Sequence, residues 1–378
     1  MTHSEKKTTV VVLGAGYAGL VAAKRLARQS RAAVRLVNAE PDFVERIRLH
    51  QAAAGQSLAE LPLADLLGDS GVDLVVGTVT EIDLAARLVR VGADRVLRYD
   101  ILVYALGSVS EADAVPGLAE HAVTLSDRAD AARLAERTAR CRTITVCGGG
   151  PTGVEVATEL AESHPGLSVR MITKGRVGGW LSARASRYLD RQLDRFGIEV
   201  IGDAEVVRVE RGAVVLADGT RVGSDVTVWC GGFTVPVLAR EAGLAVNERG
   251  RVVVDETLRS VSHPEVYAVG DAVAVAGPWG AELSYGCRSG GFTGPYAADT
   301  IAARLAGRAP KPFRFRYVHQ CISLGRRRGL VQFVRGADES PLWMFLRGRI
   351  ATWYKEIVSS SAIWLFRHPG PYLSRRRS

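Results

Sequence analysis

The chain has 378 residues, of which 47% are hydrophobic and 24% are charged, and its formal net charge is +9. These values are typical of a globular protein of two or three domains and argue against a largely disordered chain. Arg and Lys are scattered without a helix-turn-helix or an aromatic-basic pattern, so the charge alone does not favour nucleic acid, and we expect no nucleic-acid partner.

Membrane and redox signals are sparse along the chain. No segment approaches the roughly 20 apolar residues that a membrane-spanning helix requires, and the polar N-terminus does not resemble an export signal. The five cysteines contain no C-x-x-C pair, which argues against a zinc ribbon or a redox disulfide motif. We therefore expect a cytoplasmic protein.

The first motif is a glycine-rich turn that follows a β-branched run. Residues 9–13 predict a strand, residues 17–29 a helix and residues 33–37 a second strand, which together form one βαβ unit. The turn between the first strand and the helix reads Gly14-Ala15-Gly16-Tyr17-Ala18-Gly19. This spacing lets free N–H groups of the helix meet a pyrophosphate, so it indicates a bound dinucleotide.

Short strands follow at residues 74–76, 79–82, 87–91 and 101–104, and the last of them ends in Ala105-Leu106-Gly107-Ser108. Residues 113–117 contain Pro and Gly, which predicts that the chain crosses into a second domain there. Ser126 is a suitable N-cap for a helix that we expect to reach about Arg140.

A second glycine turn begins a second βαβ unit. A strand from Thr143 ends in Gly148-Gly149-Gly150-Pro151-Thr152-Gly153-Val154-Glu155, and a further strand is expected at residues 167–173. Ser182 is expected to cap a helix that reaches Arg195, and another strand, residues 226–230, ends at Gly231. Two such turns in one chain predict two dinucleotides, whereas one alone would be weak evidence.

A third segment, Val266-Tyr267-Ala268-Val269-Gly270-Asp271, predicts a buried strand that ends in a carboxylate. With these three motifs the chain resembles the flavoproteins that have two dinucleotide-binding domains. Over about residues 8–310 it is most similar to the type II NADH dehydrogenases and their ferroptosis-suppressor and apoptosis-inducing-factor-like relatives. The resemblance implies FAD at the first turn, NAD(P)H at the second, hydride transfer from nicotinamide to flavin, and a second acceptor, commonly a quinone.

The implied fold is α/β, with two Rossmann-like dinucleotide-binding domains and a C-terminal α/β region. The FAD-binding domain is discontinuous and comprises residues 1–112 and 247–320, the NAD(P)H-binding domain residues 113–246, and the C-terminal region residues 321–378. The resemblance assigns the following residues to FAD: Gly14, Gly16, Tyr17, Ala18, Gly19, Asn38, Glu40, Arg46, Val79, Leu106, Gly107, Gly270 and Asp271.

Two of these assignments have alternatives. An acid is expected at the end of the second strand to bind the ribose hydroxyls, but Asn38 stands there and Glu40 follows later, so either could serve. Asp271 is expected to accept hydrogen bonds from the ribityl hydroxyls, and an Asp after Gly also suits a helix N-cap.

The resemblance assigns the following residues to NAD(P)H: Gly148, Gly150, Pro151, Thr152, Gly153, Thr173, Arg176 and Gly231. It places Glu155 near the nicotinamide as a catalytic residue, although a carboxylate in a first helical turn also stabilises the helix dipole. Thr173 stands where an acid would bind the NAD ribose, and the cations Lys174 and Arg176 follow it. This pattern tolerates a 2′-phosphate, so we expect NADPH to be accepted at least as well as NADH.

The acceptor side departs from the resemblance. Quinone-reducing members commonly carry an A-Q-x-A-x-Q helix beside the flavin, whereas residues 284–292 contain no glutamine. Cys287 is the candidate catalytic residue there, with core packing as the alternative. Sulfide:quinone reductases use separated cysteines, but Cys287 or Cys321 with Cys147 matches them poorly. Arg46, Arg48 and His50 are candidates to frame the flavin or an acidic substrate.

The tail from residue 341 mixes aromatic and basic residues, which suits a membrane surface. Its apolar residues recur at helical spacing: Trp343, Leu346, Ile350, Trp353 and Ile357. The expected role is peripheral membrane contact, with packing on the body or a homodimer interface as alternatives. The favoured function is NAD(P)H:quinone oxidoreduction, and the alternatives are a soluble flavoenzyme for a small metabolite and a redox-responsive binding protein.

Overall fold

The structure is a computed structural model that describes residues 7–276 and 280–368, without the side chains of residues 287–289. The first part of the chain forms these elements: β1 (Thr9–Leu13), α1 (Tyr17–Gln29), β2 (Ala33–Asn38), a 3₁₀ turn (Arg46–Arg48), α2 (Leu49–Ala53), α3 (Leu63–Leu67), β3 (Asp73–Val76), β4 (Val79–Asp83), β5 (Leu88–Val91), β6 (Arg95–Arg98) and β7 (Ile101–Tyr104).

Strand β1 lies at the centre of a parallel sheet. It pairs with β2 on one side and β7 on the other, and β2 pairs with β3. Val10, Val11 and Val12 are fully buried, as expected for the central strand of a sheet that is covered on both faces. Strands β4, β5 and β6 form a small antiparallel sheet beside it.

The chain then forms a second unit with these elements: β8 (Val109–Ser110), α4 (Leu118–His121), β9 (Ala122–Val123), α5 (Arg128–Thr138), β10 (Thr143–Cys147), α6 (Pro151–Ser163), β11 (Ser168–Ile172), α7 (Ala183–Arg195), β12 (Glu199–Ile201), β13 (Val206–Glu210), β14 (Ala213–Leu216), β15 (Arg221–Gly223), β16 (Val226–Trp229) and β17 (Phe233–Thr234). Its parallel sheet has the order β12-β11-β10-β16-β9, with an antiparallel sheet of β13, β14 and β15 beside it. Strands β8 and β17 pair, so the two connections to the first unit run side by side.

Two helix caps in this unit were expected from the sequence. Ser182 caps α7 as predicted, because its hydroxyl accepts a hydrogen bond from the Ala185 N–H. The prediction for Ser126 is wrong: the N-cap of α5 is Asp127, whose carboxylate accepts from the Asp130 N–H at 2.8 Å. The Ser126 hydroxyl instead accepts from the Ser110 N–H at 2.9 Å, at the crossing between the two units.

After the second unit the chain returns to the first sheet. The elements of this segment are α8 (Leu238–Glu241), β18 (Val252–Val253), β19 (Val266–Ala268), β20 (Val273–Ala274) and α9 (Cys287–Leu305). Strand β19 pairs in parallel with β7 and completes the order β19-β7-β1-β2-β3. The predicted α/β fold with two Rossmann-like units, the first of them discontinuous, is confirmed. The domain boundaries at residues 112, 246 and 320 stay predictions.

The C-terminal region adds a three-stranded antiparallel sheet and a long helix: β21 (His319–Leu324), β22 (Arg328–Val334), β23 (Pro341–Arg347) and α10 (Gly348–Arg367). Trp343 and Leu346 lie on β23, so the helical spacing predicted for them is wrong. Gly348, with φ +66°, marks the change from strand to helix, and Ile350 and Trp353 lie on α10 as predicted.

The C-terminal region contributes to the cores of both units. Phe366 of α10 is buried in the cluster around the first sheet, while Ile322 of β21 and Leu330 of β22 are buried in the cluster around the second. Within the described residues, no helix combines the length and the apolar character needed to cross a membrane. The C-terminal region is therefore a layer that spans the two units.

Candidate functional site

The first glycine turn is shaped by close backbone contacts. Gly14 has φ +95°, and a Cβ there would lie 2.5 Å from the Ala105 carbonyl oxygen. A Cβ at Gly19 would overlap the Gly14 carbonyl oxygen, so α1 can approach β1 only with glycine at that position. At Gly16, by contrast, no described atom lies within 4 Å of the Cβ position. The start of α1 therefore presents backbone N–H groups to open space that fits a pyrophosphate.

The end of β2 holds this turn in place. The side-chain oxygen of Asn38 accepts a hydrogen bond from the Ala15 N–H at 2.9 Å, and the main-chain carbonyl of Asn38 accepts one from the Gly77 N–H at 2.8 Å. Val79 follows on β4, while the Glu40 side chain is exposed. Asn38 thus has a structural role in the turn, and the assignment of Asn38 or Glu40 to the ribose hydroxyls stays a prediction.

Four segments meet beyond the carboxyl ends of β1, β7 and β19. Arg46 donates to the Ser108 carbonyl at 2.6 Å, and the Ser108 hydroxyl donates to Asp271 at 2.7 Å. The other oxygen of Asp271 accepts from the Gly286 N–H at 2.8 Å, at the start of α9. These bonds bring together Arg46, Asp271 and the loop of Leu106 and Gly107, which the resemblance assigns to FAD.

The remaining predicted residues of the first unit pack against other helices. The Tyr17 ring lies 5.1 Å from the Phe43 ring and 6.0 Å from that of Phe366 on α10. A Cβ at Gly270, which has φ +73°, would lie 3.3 Å from the Ala18 Cβ. Tyr17 therefore links the first turn to the C-terminal helix.

The second glycine turn repeats the geometry of the first. Gly148 has φ +127°, and a Cβ there would lie 2.5 Å from the Cys230 carbonyl oxygen. A Cβ at Gly153 would overlap the Gly148 carbonyl oxygen, and no described atom lies within 4 Å of the Cβ position at Gly150. Helix α6 begins at Pro151. This turn also fits a pyrophosphate at its helix start.

The predicted nicotinamide-nucleotide residues surround this turn to different degrees. A Cβ at Gly149 would lie 2.6 Å from the Thr173 hydroxyl, and one at Gly231 would lie 2.8 Å from the Trp229 ring. Thr152 lies in the first turn of α6. Arg176 is exposed and pairs with Asp190 at 2.6 Å, and exposed Lys174 pairs with Glu205 at 2.8 Å.

Glu155 lies where the two units and the C-terminal region meet. One carboxylate oxygen accepts from the Ser323 N–H at 2.8 Å and from the Lys355 ammonium of α10. The other oxygen lies 3.9 Å from Nδ1 of His50 on α2. His50, Lys355 and Ser323 are all buried. Stabilisation of the helix dipole, the alternative role of Glu155, does not by itself account for these three partners.

The charges of this cluster are set by burial and by pairing. Burial opposes ionisation of Glu155, but Lys355, His50 and the bond from Ser323 hold the pKa of Glu155 below its usual value. Burial lowers the pKa of His50 to about 4, so the imidazole is neutral near pH 7. Burial raises the pKa of Glu159, one helical turn further along α6. The cluster therefore holds a carboxylate, a cation and a neutral imidazole at one place.

Sequence reasoning missed three members of this cluster: Ser323, Lys355 and Glu159. Ser323 and Lys355 lie 168 and 200 residues from Glu155 along the chain, so no local pattern connects them. Glu159 could have been found, because it stands four residues after Glu155 and a helix places such pairs on one face. Arg48 was a candidate to lie beside the flavin or an acidic substrate. In the structure it forms an ion pair with Glu356 of α10 at 2.7 Å.

The cysteines do not form a reactive pair among the described residues. The Cys147 side chain packs in the cluster of Trp229 and Ile172, whereas Cys230 packs against the cluster on the opposite face of the sheet. Burial raises the pKa of Cys147 and raises that of Cys230 to about 12, which leaves both as thiols. The side chain of Cys287 lies outside the described part. No cluster suited to a metal ion occurs in the described residues.

Comparisons with known proteins agree with this geometry. Residues 8–291 match the pyridine nucleotide-disulphide oxidoreductase family. An NADH dehydrogenase-like protein of Mycobacterium tuberculosis (strain CDC 1551 / Oshkosh) is 31% identical over 346 residues, which cover 84% of this chain and 86% of that protein. The type II NADH:quinone oxidoreductase Ndh of Mycobacterium tuberculosis (strain ATCC 25618 / H37Rv) is 31% identical over 362 residues, 82% of this chain and 76% of that protein.

A solved structure shows the same fold over nearly the whole chain. NDH2 from Plasmodium falciparum in complex with NADH superimposes with a TM-score of 0.81 and 14% sequence identity, covering 96% of this chain and 97% of that one. The resemblance inferred from the two glycine turns and the Gly-Asp strand end is thus confirmed. The chain belongs to the pyridine nucleotide-disulphide oxidoreductase family and is an oxidoreductase with the FAD and NAD(P)H cofactors of that family.

Proposed function

We propose that the protein oxidises NAD(P)H bound at the second glycine turn and, through FAD bound at the first, reduces a quinone. Bound FAD supplies the redox chemistry, since it accepts hydride from the nicotinamide and passes electrons to an acceptor. The relatives named as type II NADH:quinone oxidoreductases support a quinone as that acceptor. The chain itself binds and orients the two cofactors and places charged groups beside them.

We assign the residues of each site from the geometry of the turns. Gly14, Gly16 and Gly19 would receive the FAD pyrophosphate, and Asp271, aligned by Ser108 and Gly286, would accept from the ribityl hydroxyls. Gly150 and the first turn of α6 would receive the pyrophosphate of NAD(P)H.

One observation carries the proposal. Glu155, at the start of the nicotinamide-side helix, joins His50 of the first unit and Ser323 and Lys355 of the C-terminal region in one buried cluster. A group that must receive both electrons and protons, as a quinone does, needs charged and proton-holding residues beside the flavin. A Lys paired with a carboxylate meets that need, because the ammonium stabilises negative charge on a reduced ring.

The C-terminal region supports delivery of the quinone from a membrane. Large apolar side chains on β23 and α10 are exposed, including Trp343 at 72%, Trp353 at 67% and Ile350 at 66%. Ile357 and Trp364 share this exposure, and the spacing of the α10 members places them along one side of the helix. Arg347 and Arg349, also exposed, border them. Rings with neighbouring cations suit the headgroup level of an anionic membrane.

A visible spectrum and an anaerobic titration test the redox proposal. The purified protein should be yellow, NADH or NADPH should bleach the flavin absorbance without oxygen, and a short-chain quinone should restore it. Bleaching without recovery by quinone would favour the alternative of a small-metabolite flavoenzyme. Slow turnover with every acceptor, combined with nucleotide-dependent association, would favour the redox-responsive binding protein.

Vesicle flotation tests the membrane contact. Wild-type protein should float with anionic vesicles, and Trp353→Ser with Ile357→Ser should remain at the bottom of the gradient. Val237→Ser is the matched control, because Val237 is also exposed, at 63%, but stands at the start of α8 and belongs to neither β23 nor α10. Unchanged flotation of the double variant would overturn the membrane contact, and a loss of dimers in sedimentation would instead identify a homodimer interface.

A further inference from the structure

Helix α6 carries a second buried carboxylate behind Glu155. Glu159 has no exposed surface, and its Oε2 lies 3.9 Å from Nε2 of His50. The opposite ring nitrogen of His50, Nδ1, lies 3.9 Å from Oε2 of Glu155. Nε2 also lies 3.1 Å from the Ser323 hydroxyl, so this nitrogen faces both Ser323 and Glu159, while Nδ1 faces Glu155.

Glu159, His50 and Glu155 form a row of titratable side chains, and its two ends have different surroundings. Oε1 of Glu159 accepts from the Gln56 amide, which also donates to the Ser163 hydroxyl at 3.4 Å, and Gln56 and Ser163 are half-buried at the protein surface. Oε2 of Glu159 has no hydrogen-bond partner among the described residues. At the other end, Glu155 reaches Lys355 on α10. The row thus leads from the surface at Gln56 into the cluster.

Quinone reduction by a nicotinamide needs a proton from water. NAD(P)H gives up a hydride, which supplies both electrons and one hydrogen, and formation of the quinol takes up one further proton. His50, Ser323 and Lys355 around Glu155 are buried, so a proton from bulk water reaches this cluster through titratable groups within reach of one another.

We propose that Glu159 and His50 form a proton relay that carries protons from the surface at Gln56 to Glu155. This inference rests on the proposed reduction of a quinone. The carboxyl proton of Glu159 moves to Nε2 of His50 as the proton on Nδ1 moves to the Glu155 carboxylate. The ring stays neutral in its other tautomer, one proton is transferred, and no electrons move.

The distances and charges suit such a transfer. A separation of 3.9 Å exceeds a hydrogen bond by about 1 Å, which rotation of a carboxyl group can close. Burial raises the pKa of Glu159 and favours its protonated form, whereas pairing lowers the pKa of Glu155 and favours its ionised form. Transfer to Glu155 is therefore uphill, and the reduced quinone completes it by taking the proton from Glu155. The charged and titratable groups that act on His50 come from every neighbouring element: Arg48, Glu155, Glu159, Arg326 and Lys355.

Glu159→Gln tests the relay, because the amide retains the size of the side chain and cannot pass a proton. Turnover with a quinone should fall about tenfold to hundredfold, the range of a general-acid contribution. Turnover with ferricyanide, which accepts electrons without protons, should be unchanged. A merely structural role of Glu159 would lower both rates together, and that result would overturn the relay.

Glu162→Gln is the matched control. Glu162 stands on the same helix and accepts from the Arg326 N–H, a bond that the glutamine oxygen retains. Its ratio of quinone to ferricyanide turnover should equal that of the wild type. His50→Gln provides a second variant at the centre of the row, and it should show the same selective loss as Glu159→Gln.

Infrared spectroscopy gives a readout that does not depend on turnover. The wild type should show the carbonyl stretch of a buried protonated carboxyl group at pH values above the usual range of glutamate. This band should be absent in Glu159→Gln and present in Glu162→Gln. Its presence in both variants would overturn the assignment of the proton to Glu159. If the wild type reduces no quinone, the proposed function fails; if it does and the variants match it, the relay alone fails.

Discussion

The two glycine turns are near copies in backbone geometry, yet their surroundings differ. In both, a Cβ on the first glycine would lie 2.5 Å from a neighbouring carbonyl oxygen, and one on the last glycine would overlap the first. The first turn is enclosed by returning segments that carry Asp271, Ser108 and Gly286. The second is bordered by the exposed cations Lys174 and Arg176. The difference fits the proposed roles of the two turns, a retained FAD at the first and an exchanging nucleotide at the second.

The largest expected effect comes from adding a methyl group at the last glycine of each turn. Gly19→Ala should yield protein without FAD, because the new Cβ would force α1 away from β1. Gly153→Ala should retain FAD and weaken NAD(P)H binding roughly five- to hundredfold, since overpacking of this kind costs about 1–3 kcal/mol. The flavin-to-protein absorbance ratio and a nucleotide titration measure the two outcomes.

Gly223→Ala is the control for these variants, because its Cβ would meet no described atom within 4 Å and its φ is not positive. It should behave as the wild type in both measurements. Loss of FAD from Gly153→Ala with retention in Gly19→Ala would reverse the assignment of the two turns.

A smaller effect is expected at the enclosing carboxylate. Asp271→Asn removes the charge and replaces one acceptor oxygen with an amide NH2, which would face the Ser108 hydroxyl or the Gly286 N–H, the two donors to Asp271. Because hydrogen bonds to charged groups contribute about 1.5–3 kcal/mol, the flavin content after dialysis should fall clearly while NAD(P)H binding at the second turn is unchanged. Ser108→Ala should lower the flavin content less. Equal flavin retention in the wild type, Asp271→Asn and Ser108→Ala would contradict a role of Asp271 in FAD binding.

The smallest effect is expected at the exposed cations. If Lys174 and Arg176 accept a 2′-phosphate, the double substitution to alanine should lower kcat/KM for NADPH relative to NADH about two- to fivefold, since exposed ion pairs contribute about 0.2–1 kcal/mol. Both cations already pair with exposed acids, which they would exchange for phosphate. A wild-type enzyme with a strong preference for NADH would contradict this assignment.

The parts of the fold that depend on local pattern were predictable from the sequence. The valine run before Gly14 and the capping of α7 by Ser182 depend on neighbours within a few residues, and the structure has both. Ser126 was misassigned because Asp127, the adjacent residue, is an equally good cap. Trp343 was misassigned because an apolar residue every third or fourth position also fits a strand whose two faces are both partly exposed.

The candidate site was predictable only in part. The glycines and Asp271 follow from motifs that a single βαβ unit or strand end contains. The partners of Glu155 do not, because Ser323 and Lys355 belong to a region that reaches α6 only after both units have folded. His50 was visible as a lone histidine, but its position between two carboxylates arises from the packing of α2 against α6.

The residue that begins each helix separates the two turns further. Helix α1 begins with Tyr17, whose peptide nitrogen carries a hydrogen, whereas α6 begins with Pro151, whose nitrogen does not. A phosphate at the second turn would therefore meet one main-chain donor fewer, although the fixed φ of proline already suits the first helical position. With one hydrogen-bond donor fewer and an equally rigid backbone, the second turn would bind a phosphate less tightly, which suits the proposed release of the nucleotide after every catalytic cycle.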